Sequence, residues 1–222
     1  MLNTLIIVLA AGLLPCLLYF ENRGNQKGLV LTKSALSLLF VVAVVVQAHP
    51  ISAFYYCLLA GLIFCLGGDI FLALQQKMMF FIGLIFFLVG HIFYILGFFY
   101  VAQQSQWTWL GFLTMLVIGV WVFLWLRPHL GSMKAPVALY IVIITIMISG
   151  AWSVLGDPDL ALTGRIMVFI GACSFYFSDI FVARDRFLRK EFFNRLIGLP
   201  LYYTGQFLLV FSVGVLRYVT TM

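Results

Sequence analysis

Apolar residues run along this chain in eight stretches of roughly 17–25 residues separated by short polar loops, and that pattern leaves few ways to fold. A stretch of that length makes an α-helix able to cross a hydrocarbon core of about 30 Å. A membrane barrel would instead alternate polar and apolar residues. Composition agrees: 64% of the 222 residues are hydrophobic and 9% are charged, against roughly 45–50% and about 25% in soluble domains. The reading is an all-α, polytopic membrane bundle of eight transmembrane helices in a single integral domain, residues 1–222. The helices are placed near 3–20, 29–46, 51–74, 79–102, 107–126, 134–154, 161–183 and 196–219. The first helix has no basic region before it and no small-x-small site ahead of Glu21, so it is expected to stay on the mature protein.

A net charge of +6 would suggest a nucleic-acid partner in a soluble protein, but in a membrane protein it reports topology. Arg23, Lys27 and Lys33 flank the first loop, Lys77 lies in the third, and Arg127 and Lys134 bound the fifth. Arg184, Arg186, Arg189, Lys190 and Arg195 crowd the seventh, whereas Arg165 is nearly alone beside the even loops and the sixth carries Asp157 and Asp159. The odd loops are therefore expected on the cytoplasmic side and both termini outside, with a bacterial inner membrane as the expected location. Trp107, Trp109 and Trp125 sit at the ends of the fifth helix, as interface anchors do. Cys16, Cys57, Cys65 and Cys173 all fall inside spans, without metal-ligand spacing, and read as small buried hydrophobes.

Two carboxylates interrupt this apolar pattern. Asp69 lies in Gly67-Gly68-Asp69-Ile70-Phe71-Leu72-Ala73 and Asp179 in Phe177-Ser178-Asp179-Ile180-Phe181-Val182-Ala183. A charge inside a membrane span is costly and is a functional candidate by default. The third and seventh helices run in the same direction, and both aspartates are expected at a similar depth near the cytoplasmic ends. The shared Asp-Ile-Phe-apolar-Ala string, with Lys33-Ser34-Ala35 and Lys134-Ala135-Pro136 in loose register, fits a four-helix unit repeated in parallel. Other polar residues gather in the same half of the spans: Lys33, Tyr140, Thr145, Tyr202, Tyr203 and Gln206, with His91 and Tyr94 nearer the middle.

These residues resemble the YhhN-type lysoplasmalogenases. The resemblance is carried by Gly61 through Leu72, by Gly83-Leu84 with Gly90-His91-Ile92-Phe93-Tyr94, and by Pro136-Val137-Ala138-Leu139-Tyr140 with Met147. It continues in Gly171-Ala172-Cys173-Ser174-Phe175 through Ser178-Asp179 and in Tyr202-Tyr203-Thr204-Gly205-Gln206, in order along the third to eighth helices. The chain departs from the family at Cys65, where a small hydroxyl residue is commoner, and at Thr204-Gly205, where alanine is. The resemblance implies an eight-helix hydrolase that cleaves the vinyl-ether bond of lysoplasmalogens to a fatty aldehyde and a glycerophospho-base, with Asp69 and Asp179 as the catalytic carboxylates. Lys33, His91, Tyr94, Tyr140, Tyr203 and Gln206 are the expected substrate-binding or supporting residues. Lys33 and the basic seventh loop would hold the phosphate, and His91 and Tyr94 would meet the reactive end of the tail or support an aspartate.

A vinyl ether resists nucleophiles until its β-carbon is protonated, so the reaction needs one carboxyl that carries a proton and one carboxylate that orients water and stabilises the cation. Paired carboxylates divide these roles in other hydrolases; which aspartate takes which role stays open at this level. The expected partners are a lysophospholipid substrate and membrane lipid, with no nucleic acid and no obligatory protein partner. No metal is expected from two aspartates and one histidine without metal spacing, and no cofactor. Two other readings compete: a proton-coupled transporter using the intramembrane Asp and His groups, and a non-catalytic lipid-binding or assembly protein.

Overall fold

Inside lipid every backbone N–H and C=O must find a partner within the chain, and a helix satisfies them locally; each apolar run of this sequence accordingly closes into one. The computed structural model describes residues 1–219 except Gln75. Within them the helices are α1 (Leu2–Arg23), α2 (Gln26–Val45), α3 (Ser52–Ala73), α4 (Lys77–Val101), α5 (Gln106–Leu126), α6 (Lys134–Gly156), α7 (Leu162–Phe187) and α8 (Phe192–Val215). All eight are long and apolar enough to cross a membrane. The chain is an integral membrane protein, with the all-α architecture expected from its apolar runs.

The helix ends differ from expectation where polar side chains find partners. α7 continues a full turn beyond Ala183 because the charges of that turn are satisfied at the α7–α8 corner. Asp185 accepts from Arg195 at 2.9 Å, and Arg184 reaches Glu191 at 2.8 Å. α8 starts and stops about one turn early; after Val215 the chain turns back, and an isolated bridge pairs Leu160 with Tyr218. α1 runs on to Arg23 and ends at Gly24, whose φ of 64° is the left-handed conformation glycine adopts without penalty. The Asn25 side chain then accepts the Gly28 N–H at 3.1 Å and caps α2.

α6 is the central helix and packs on α4, α5 and α7, while α2 joins α3 to α8 and α1 lies outside on α2 and α8. The two most extensive interfaces are α7 with α8 and α3 with α4. Both are made possible by glycine. A Cβ on Gly171 would come within 2.9 Å of the Gly205 carbonyl, and one on Gly205 within 2.8 Å of the Gly171 carbonyl. At Gly68, beside Asp69, the Phe87 ring occupies the space a Cβ would need. Part of the neighbour pattern repeats under a shift of four helices: the pairing of α2 with α8 matches that of α6 with α4, which chain connectivity does not impose, whereas the contacts of α8 with α1 and α3 have no counterpart of similar extent.

The odd loops share one face of the bundle. Glu21 meets Arg195 at 2.9 Å, Gln26 donates to the Ala73 carbonyl at 3.0 Å, and the Arg186 guanidinium lies 4.4 Å over the Phe80 ring. Both ends of the described chain lie at the opposite face, where Gln47 donates to Asn3 at 3.0 Å and Tyr218 to the Val101 carbonyl at 3.3 Å. All four cysteines are free; Cys65 is buried, but Cys16 is exposed on the outermost helix, contrary to the expectation that every cysteine would be a core residue. Trp107 stacks on Trp152 across α5 and α6 with ring centroids 6.1 Å apart.

The close backbone approach of α7 and α8 makes Gly205 intolerant of a side chain. Gly205→Val should lower stability by about 1–3 kcal/mol, the usual effect of overpacking, seen as a reduced unfolding midpoint of the detergent-solubilised protein. An unchanged midpoint would show that the contact relaxes without penalty.

Candidate active site

Asp69, in the last turns of α3, is 1% exposed and therefore needs compensating donors. It has three. Lys33 Nζ lies 3.1 Å from Oδ1, while Ser37 Oγ and Tyr202 OH donate to Oδ2 at 2.5 and 2.6 Å. Lys33 and Ser37 are four residues apart on α2, so both side chains leave the same face of that helix. Tyr202 comes from α8, so three helices converge on one carboxylate. Tyr203, its neighbour, points its hydroxyl to α2 instead: it donates to the Lys33 carbonyl at 3.4 Å and lies 3.3 Å from Ser37 Oγ.

A hydrogen-bonded chain extends from this centre. Tyr94 of α4 donates to Gln206 Oε1 at 2.8 Å, and Gln206 Nε2 donates to the Tyr202 hydroxyl at 3.3 Å. The Tyr202 proton is thereby directed at Asp69. Cys65 Sγ lies 3.8 Å from the Tyr94 hydroxyl, one turn before Asp69 on α3.

Asp179 has a different environment. It is half-buried, and among the described residues its carboxyl accepts one hydrogen bond, at Oδ2 from Tyr140 of α6 at 2.7 Å. The preceding Ser178 donates to the Phe175 carbonyl of its own helix at 2.7 Å. Because α7 is longer than expected, Asp179 is eight residues from its end at Phe187, whereas Asp69 is four from Ala73 at the end of α3. Both nevertheless line one cavity of about 100 Å³, together with Lys33, Tyr140, Tyr202 and, towards the odd-loop face, Asn194 and Arg195. Apart from Tyr176 and Ser178 the rest of its wall is apolar, with Phe87, Ile144, Ile180 and Leu199 among the lining residues.

Two expectations need correction. Lys33 is not an open cation at the cavity mouth for a phosphate; it is 5% exposed and its ammonium pairs with Asp69 at 3.1 Å. His91 does not hydrogen-bond an aspartate. Its Nδ1 faces the Phe87 carbonyl at 2.7 Å, its ring packs against Phe175 and Tyr140, and its Nε2 has no hydrogen-bond partner among the described residues. It meets the site through the rings of Tyr140, which holds Asp179, and Tyr94, and through the backbone of Phe87.

A carboxylate offers about four acceptor positions. Asp69 fills three, one with a cation, which is the bonding pattern of a permanent anion with one position left for a further donor. Asp179 fills one and keeps an oxygen available to carry and deliver a proton. The arrangement thus sets a fixed anion and a free carboxyl around one apolar space. Among the described residues no three His, Cys, Asp or Glu side chains are grouped to hold a metal ion.

The sequence profile of the YhhN family matches residues 29–213, from α2 into α8, and takes in every residue of this centre. The chain belongs to the YhhN family. No curated protein and no solved structure matches it significantly. Within this YhhN protein, Ser37 and the direct role of Tyr202 were not singled out from sequence, although helical spacing carries a signal for both. Ser37 follows Lys33 by one turn, and Tyr202 precedes Gln206 by one turn.

Removing Lys33 leaves a buried, uncompensated carboxylate. Lys33→Met should destabilise the YhhN protein by about 3–5 kcal/mol, whereas the Lys33→Met, Asp69→Asn double variant should recover most of that loss. Thermal unfolding of the three proteins checks this; equal destabilisation in the single and double variants would mean that the ion pair is not the coupled unit.

Proposed function

We propose that this protein is a lysoplasmalogenase-type hydrolase that cleaves the vinyl-ether bond of lysoplasmenyl-phosphoethanolamine or -choline. The observation that carries the reading is the unlike bonding of two carboxylates that line the same cavity. Family membership supports it.

In this reading Asp179, with an oxygen unengaged by the protein, is the general acid. It transfers its proton to the β-carbon of the vinyl ether, giving an oxocarbenium ion. Asp69 remains an anion throughout, held by Lys33, Ser37 and Tyr202, and stabilises that cation across the cavity. Preorganised charge of this kind acts most strongly where water is excluded. A water hydrogen-bonded to the remaining acceptor position of Asp69 attacks the cationic carbon and gives its proton to the Asp179 carboxylate, which restores the acid. The hemiacetal then transfers its hydroxyl proton to the glycerol oxygen and collapses to aldehyde and glycerophospho-base. Tyr140 orients Asp179, and the Tyr94–Gln206 pair orients Tyr202. The basic odd-loop face is placed on the cytoplasmic side by the positive-inside rule, and a bacterial inner membrane is the proposed location.

General acid catalysis is worth about 10²–10⁴-fold, so Asp179→Asn should lower kcat by at least about 10²-fold. Asp69→Asn should be similarly impaired, and Tyr140→Phe should fall by roughly tenfold, the scale of one hydrogen bond to a charged group. Aldehyde release from lysoplasmenyl-phosphoethanolamine by purified protein is the measurement. No aldehyde from folded wild-type protein would overturn the activity, and unchanged rates in both aspartate variants would overturn the site.

A further inference from the structure

Two cationic side chains line the cavity, Lys33 deep beside Asp69 and Arg195 towards the odd-loop end. Lys33 is buried against Asp69. Arg195, at the odd-loop end, donates through Nε to Glu21 at 2.9 Å and through Nη2 to Asp185 at 2.9 Å. A guanidinium carries five N–H donors in a planar fork, so the Nη1 pair is not engaged by either carboxylate. The two carboxylates fix the plane of the fork, which lowers the entropy lost when a further acceptor binds.

Its position along α8 suits one ligand group. Arg195, Gly198, Leu199 and Tyr202 all line the cavity, and their spacing is that of one helix face. Tyr202, at the inner end, donates to Asp69. Seven residues of helix place Arg195 about 10 Å along the axis from Tyr202. Lys33 and Arg195 also share a narrow cleft with Glu21, Leu29, Leu72, Ala73 and Leu199, which links the residue paired with Asp69 to the odd-loop end. In a glycerophospholipid four bonds separate the ether-bearing carbon from phosphorus, about 5 Å at ordinary bond lengths near 1.5 Å. With the reactive bond beside the aspartates, the phosphate falls between them and the face, within reach of an arginine side chain directed inwards.

We infer that Arg195, held by Glu21 and Asp185, is the phosphate-binding group of this cavity and recognises the phosphodiester of a single-chain lipid. The inference rests on the substrate class proposed above, but its test does not require turnover. Glu21 and Asp185 compete for the same positive charge, so the gain from the phosphate is about tenfold in affinity, the lower end for a charge-assisted hydrogen bond.

The test compares two non-hydrolysable ligands by calorimetric titration of the detergent-solubilised full chain: a 1-O-alkyl-glycero-3-phosphoethanolamine and the 1-O-alkylglycerol of the same chain length. Wild-type protein should bind the phosphorylated ligand about tenfold more tightly, and Arg195→Gln should bind the two equally while keeping wild-type affinity for the alkylglycerol. Arg195→Lys should retain part of the preference. Glu21→Gln, which frees the fork and serves if Arg195→Gln does not fold, should widen the preference. Equal binding of the two ligands by wild type, equal loss for both in Arg195→Gln, or an unaltered preference in Glu21→Gln would each overturn the assignment. Aldehyde release by wild type from the vinyl-ether lipid is read separately, so a protein that binds with the expected preference but releases none refutes the activity and not the phosphate site.

Discussion

A buried ion pair between Lys33 and Asp69 is the interaction on which the centre of this bundle depends. Two charges removed from water are favourable together only when their remaining hydrogen-bonding capacity is filled, and the surrounding helices are arranged to fill it. α2 supplies the cation and, one turn later, Ser37. α8 supplies Tyr202, whose proton is aimed by Gln206 and, through it, by Tyr94 of α4. One carboxylate thereby ties together α2, α3, α4 and α8. Between apolar helices in lipid there is little hydrophobic driving force, so such polar links and close glycine contacts carry the specificity of packing.

The two halves of the chain use the same device with different residues. In the first half the second helix provides a cation and a hydroxyl to an aspartate on the third, which Tyr202 of α8 also reaches, and in the second half α6 provides Tyr140 to Asp179 on α7. The two lysines of the loose sequence match are not equivalent in the fold: Lys33 is the eighth residue of α2 and Lys134 the first of α6. Lys33 is buried on its aspartate, whereas Lys134 lies exposed at the odd-loop face. Asp69 is compensated by a cation and two hydroxyls, and Asp179 by one neutral hydroxyl. Two near-identical Asp-Ile-Phe strings thus acquire unlike chemistry, which is the asymmetry an acid and an anion require of a shared cavity.

The corner between α7 and α8 shows how the same physics sets the edges of the fold. Arg184, Asp185, Glu191, Asn194 and Arg195 form a linked cluster that lets α7 run a turn further and α8 begin a turn sooner than their apolar residues alone indicate. The cluster also brings Arg195 to the cavity, where its charge is shared with Glu21 from α1. The charges of the seventh loop, read from sequence as topology signals and as a phosphate-binding group, therefore include one that lines the cavity.

The amino-acid sequence by itself determined the number of spans, their order, the odd and even faces and the two aspartates, because apolar run length, lysine and arginine placement and the rarity of charge in lipid are local properties readable one residue at a time. It also marked Tyr140 and Gln206 as members of the polar set, since a hydrogen-bonding group in an apolar helix needs a reason. Tertiary structure alone decided the partners. Whether Lys33 turned inward or towards the interface, whether Tyr202 or Tyr203 reached Asp69, and whether His91 met an aspartate or a backbone carbonyl depended on the rotation of each helix about its axis. A few tens of degrees of that rotation exchange one neighbour for another, and the angle is set jointly by contacts such as Gly171 with Gly205 and Gly68 with Phe87 that lie far apart in the chain.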